Sequence, residues 1–249
     1  MKEENKYGLL LLAVWVLACG AAFLRRALYI HAVDAKGLLV RNHPLALLLW
    51  AVVALGGALI LLTVRKLDGS NVYEKNFGRE VPSGYLLMAA VIGCMVLLNR
   101  FDGMARFAQL LRILGGITVP ALVWGGICRY RGKKPFFLIH GVLTVFLLLL
   151  LISRYQTWSG NPQLQDYVFD LLALAALVLF GDQTTAFEAD RGSRRLQLTA
   201  GLLAILLCGA ALGRTDMTGL YAAGMVWAAT DLCRLTPPEK DEVDEHDPA

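Results

Sequence analysis

The chain has 249 residues, 57% of them hydrophobic, with a mean hydropathy of +0.54 and a formal charge of +4. That is well above the roughly half-apolar usage of soluble domains, which excludes an ordinary soluble fold. The charge is divided: six acids and one Lys follow Pro237, so the body carries 23 basic and 14 acidic residues and stands at +9, a balance that suits basic loops facing anionic lipid and needs no nucleic acid as partner.

The apolar residues fall into runs close to the ~20 residues that cross a bilayer, apolar all round, without the dyad alternation of a transmembrane β-barrel. The first predicted helix is Gly8–Leu24. Its Val16-Leu17-Ala18-Cys19 approximates a lipoprotein cleavage box. The preceding residues carry two acids beside two lysines, however, and later spans anchor the chain, so it is read as a helix. A polar linker from Arg25 leads to Pro44, which suits the first turn of a second helix ending at Val64.

After a charged loop from Arg65 to Ser83 come a short third helix, Gly84–Leu98, and a fourth, Leu110–Cys128. The fourth contains Gly115-Gly116 and Gly125-Gly126, pairs that allow close helix contact. The fifth begins after Pro135 and ends near Ser153. Arg154–Tyr167 then forms a polar, aromatic insert before a sixth helix ending near Phe180. Gly181–Arg195 reads as a loop, a seventh helix ends near Gly213, and the eighth is Thr218–Leu232. Pro237-Pro238 stops the chain's helical part, and residues 237–249 form an acidic tail expected to be disordered and cytoplasmic.

The expectation is an all-α integral membrane protein with about eight transmembrane helices in a single domain over residues 1–236. Eight spans put both termini on one side. The termini and the loops of that side hold fifteen Lys/Arg against nine on the other, which places both termini in the cytoplasm of a cell with the chain in its plasma membrane. Matching punctuation in residues 1–131 and 132–236, such as Asn42-His43-Pro44 with Gly160-Asn161-Pro162, points to a parallel 4+4 internal repeat.

Catalytic, metal-binding and cofactor-binding motifs are missing from the sequence. Asp102-Gly-Met-Ala-Arg106 is one residue short of the CDP-alcohol phosphotransferase core and lacks its flanking aspartates. Five cysteines without CxxC spacing read as packing residues. What remains is polar chemistry in or beside the spans. His140 is the one histidine within a predicted span, and Asp231 lies one turn inside the last helix. Such residues are functional candidates by default, or else ion-pair helix ends. On the side opposite the termini, Asp34, His43, Arg100, Arg154, Trp158, Asn161, Tyr167, Asp170 and Arg214 could form a polar vestibule. In it Asp170 would pair with Arg154, Arg100 or Arg214. The alternative for Trp158 and Tyr167 is ordinary anchoring at the headgroup level.

The segments Gly37–Leu45 and Tyr155–Ala173 resemble those of uncharacterised multi-span membrane proteins of anaerobic Gram-positive bacteria. The resemblance implies location and topology and carries no functional residues. The functional expectation is a small-solute or ion transporter, or a component of one. The alternative is a non-catalytic sensor or assembly protein whose outer loops meet a ligand and whose acidic tail engages a cytoplasmic protein. The bilayer is the partner common to both. A lipid-modifying enzyme ranks third because its motifs are missing.

Overall fold

In the computed structural model, the described residues are 3–32, 43–65, 82–101, 107–159, 167–213 and 217–233. They form eight helices and no strand: α1 Glu3–His31, α2 Pro44–Val64, α3 Ser83–Leu97, α4 Ala108–Tyr130, α5 Leu138–Ser159, α6 Val168–Glu188, α7 Arg194–Ala211 and α8 Thr218–Leu232. Six of these are long and apolar enough to cross a membrane, α1 from Gly8 onward together with α2, α4, α5, α6 and α7. The chain is a multi-pass, all-α membrane protein. The 15-residue α3 and α8 fall short of the ~20 residues of a full span.

Six helices close a ring: α3 packs on α4, α4 on α5, α5 on α6, α6 on α7, α7 on α8, and α8 returns to α3. The pair α1–α2 lies outside it against α7. Composition explains why α7 takes the central place. Ala200, Gly201, Ala204, Cys208, Gly209, Ala210 and Ala211 keep it narrow, so neighbours approach from several sides and 72% of its apolar window is buried, against 22% for α2. A Cβ on Gly209 would stand 2.6 Å from the Ala18 carbonyl oxygen of α1. The α4 glycines act similarly: a Cβ on Gly115 would meet Val96 and Phe146, and one on Gly126 would meet Pro82 and Tyr85, while Gly116 faces open space.

Between its two ends the ring is packed mainly with apolar side chains. Met88 and Ile92 of α3, Phe146 of α5, Phe180 of α6 and Trp227 of α8 belong to one buried core, with Phe180 and Trp227 edge to face at 4.7 Å. The outward faces carry Leu9, Leu55, Leu62, Leu97 and Trp124, all more than half exposed and suited to acyl chains.

Several boundaries differ from the sequence reading. Helix α1 continues past Leu24 to His31, α5 past Ser153 to Ser159, and α6 past Phe180 to Glu188. Polar residues end an apolar run without ending a helix when they find partners, and Arg25, Arg154 and Glu188 all do. Three helices, α3, α4 and α6, stop at left-handed residues. Asn99, Gly132 and Asp190 have φ of 51°, 68° and 56°. The next residue in each case donates its N–H back across the last turn: Arg100 to Met95, Lys133 to Cys128 and Arg191 to Ala186. At α2, Pro44 stands in the first turn and His43 Nδ1 accepts from the Leu45 N–H at 3.3 Å.

The helix contacts lend no support to the 4+4 repeat. Exchanging the halves would map the extensive α6–α7 contact onto α2–α3, yet α2 packs on α1 and α7 among the described residues. The acidic tail lies outside those residues.

Gly209→Ala places its methyl group against backbone that no rotamer change relieves, and is expected to cost about 1–3 kcal/mol. Gly57→Ala, which meets nothing within 4 Å, serves as the control and should be neutral or slightly stabilising. Thermal unfolding in detergent reads both; equal melting points would dispose of the close α1–α7 crossing.

Candidate functional site

Two buried ionic clusters lie near opposite ends of the bundle. The one on the side of the N-terminus draws on five helices. Arg129 comes from the last turn of α4, His140 from the first turn of α5, Glu188 from the end of α6, Asp231 from the last turn of α8 and Tyr85 from the first turn of α3. Each is at most 3% exposed.

Arg129 is the hub. Its Nη1 donates to Asp231 Oδ1 at 3.0 Å and its Nη2 to Glu188 Oε1 at 3.4 Å, so one guanidinium spans two carboxylates. The Tyr85 hydroxyl donates to the same Asp231 Oδ1 at 2.7 Å, and the Tyr85 ring lies 5.3 Å from the guanidinium carbon. His140 Nδ1 approaches Glu188 Oε1 to 2.7 Å, close contact without the alignment of a hydrogen bond. The imidazole meets the Tyr85 ring edge-on at 5.2 Å. Arg194, also buried, opens α7 at this end, and Gln197 one turn later donates to Thr184 Oγ1 at 3.0 Å. Among the described residues, Glu188 Oε2 and Asp231 Oδ2 receive no hydrogen bond. Acceptors left over beside a charged hub in an apolar surround are the strongest mark of function in the fold. No group of three His, Cys, Asp or Glu among the described residues is placed to hold a metal ion.

The second cluster brings to Asp170 a partner that the sequence reading did not name. Arg25 of α1 pairs with it, its Nη2 reaching Asp170 Oδ2 at 3.1 Å, with exposures of 2% and 0%. The Arg25 guanidinium also lies 5.2 Å from each of the Tyr29 and Phe169 rings. The Tyr221 hydroxyl donates to the Asp170 backbone carbonyl at 3.4 Å. Arg154 faces the Trp158 ring at 5.4 Å, and Trp158 stacks on Tyr167 at 4.4 Å.

Of the vestibule residues, Arg154, Trp158, Tyr167 and Asp170 thus stand at the facing ends of α5 and α6. Arg100 is exposed beyond α3, and His43 caps α2. Asp34, Asn161 and Arg214 lie outside the described residues. Both intramembrane polar residues named from sequence, His140 and Asp231, fall in the first cluster. Sequence reasoning missed Arg25, Tyr85, Arg129 and Glu188. The signal for Arg25 was its position directly after an unbroken apolar run, where a helix has no reason to stop. Glu188 was assigned to a loop that is in fact the last turns of α6.

Arg129→Gln leaves two carboxylates buried without their cation, and a loss of about 3–5 kcal/mol is expected. Adding Asp231→Asn should cost much less than the sum of the single changes, since the residues share one network. A second cycle on Arg25 and Asp170 should show coupling; additive costs at these two residues would reject their pairing. Comparison with protein-family models, curated proteins and solved structures finds no match.

Proposed function

We propose that this chain is a non-catalytic membrane sensor or assembly component, with its termini in the cytoplasm and its body in the plasma membrane. One observation supports this over a carrier. Along α5, His140 and Arg154 are separated by a rise of about 21 Å. Between them the ring is filled by buried Leu143, Phe146, Leu147 and Leu150. A carrier built on repeats would place polar groups at the midplane between related halves. Here the polar groups sit toward the two ends and the helix pairings lend no support to that relation. Each cluster ties several helices at one face, which is how a signal at one surface would be converted into helix displacement. The acidic tail then serves as the contact for a cytoplasmic protein.

The transporter reading keeps one supporting observation, the leftover acceptors of Glu188 and Asp231, which suit a small cationic solute or ion. Reconstitution into liposomes separates the two. The sensor reading expects no uptake above empty liposomes across a panel of ions, amines, amino acids and sugars. Saturable uptake abolished by Asp231→Asn would establish the transporter instead. Orientation is read by membrane-impermeant thiol labelling of Lys133→Cys and Ser159→Cys in intact cells, with only the second expected to react.

A further inference from the structure

The turn between α4 and α5 is built in two directions. Gly132 closes α4 in the left-handed conformation, accompanied by hydrogen bonds from the Gly132 N–H to Arg129 O and the Lys133 N–H to Cys128 O, both 2.9 Å. Arg129 is thereby turned inward to the ionic cluster, whereas Arg131, Lys133 and Lys134 are exposed. Beside this turn lies the one between α6 and α7, and Lys134 pairs across with Asp190. That second turn adds exposed Arg191 and Arg195. The two turns therefore present five exposed basic side chains against the single acid Asp190.

An apolar skirt continues from the basic pad. Phe136, Leu138 and Tyr130 are 60%, 52% and 65% exposed at the adjoining helix ends, and Leu196 is 55% exposed at the start of α7. The Phe136 and Phe137 rings are 4.7 Å apart. Charged groups directly beside exposed aromatic and aliphatic side chains match a headgroup region over acyl chains.

We propose that this pad is a binding site for phospholipids with a net-negative headgroup, the phosphodiester meeting Arg131, Lys133 and Arg191 and the acyl chains covering Phe136 and Leu196. The chain's own acidic segment is the rival occupant. It begins on the same side, since Asp231 near the end of α8 touches Arg129. Residues 238–249 match the pad in charge but contain no Phe, Tyr or Trp and one branched aliphatic residue, Val243, so they cannot cover the apolar skirt. A lipid satisfies both halves of the surface. The site is independent of the sensor and carrier readings and of which face of the membrane it occupies.

The test uses the full chain in neutral detergent, with phosphatidylglycerol as probe and phosphatidylcholine as control. Phosphatidylglycerol is expected to raise the melting temperature by roughly 2 °C or more over phosphatidylcholine, a shift that shrinks with added salt. Native mass spectrometry of the unaltered chain should retain phosphatidylglycerol preferentially, a readout that depends on no variant. The triple change Arg131→Gln, Lys133→Gln, Arg191→Gln should abolish both preferences, and removing residues 238–249 should leave them intact. Equal protection by phosphatidylcholine, an undiminished preference in the triple variant, or a preference that emerges only after residues 238–249 are removed would overturn the proposal; the last would give the pad to the acidic segment.

Discussion

The guanidinium of Arg129 lies between the carboxylates of Glu188 and Asp231 in a surround that excludes water, and the closure of the helical ring depends on that arrangement. Apolar packing alone sets few constraints on how helices register in lipid, because a Leu in contact with another helix gains little over a Leu in contact with an acyl chain. A buried cation with two anions is different. Any slide or rotation of α4, α6 or α8 that separates them leaves a bare charge in low dielectric, at a cost far above that of a lost van der Waals contact. The net stabilisation from such a cluster is small once desolvation is counted, so its effect falls mainly on which arrangement is chosen. Tyr85 and His140 extend the same constraint to α3 and α5.

The glycines and the ionic groups act together. Gly126 lies in the turn of α4 preceding Arg129 and lets Pro82 and Tyr85 come close enough for the tyrosine to reach Asp231. Gly84, next to Tyr85, lets α3 approach the α8 backbone at Trp227. At the other end Gly209 draws α1 onto α7, which brings Arg25 over Asp170. Close approach of backbones is what allows short acidic side chains to meet partners on neighbouring helices.

Much of the fold was legible from hydropathy. α2 and α8 match their expected bounds, and α3 is displaced by one residue at each end. The failures share one cause. Arg25 and Arg154 were treated as marks of helix ends, and Glu188 as part of a loop, because a charge in an apolar run is costly. Arg154 lies over the Trp158 ring one turn on in its own helix, whereas Arg25 meets Asp170 and Glu188 meets Arg129 on other helices. Such long-range pairing leaves no local trace. For the site, His140 and Asp231 stood out as ionisable residues within spans, whereas their partners Glu188 and Arg129 fell outside the expected spans, in a loop and just past the end of the fourth helix. The matching Asn-Pro punctuation before α2 and in the segment before α6 had a local explanation in turn chemistry and did not require a common origin.

The brevity of α3 has a consequence for the lipid around it. Fifteen residues rise only about 22 Å, several ångströms less than a typical hydrocarbon core of ~30 Å. α8 is equally short but almost wholly enclosed, so α3 alone presents this shortfall, through exposed Leu86, Leu87 and Leu97. The bilayer beside α3 must compress, or the protein must draw in neighbours that spare the lipid that deformation. Hydrophobic mismatch on one flank gives the molecule a preferred thickness of membrane.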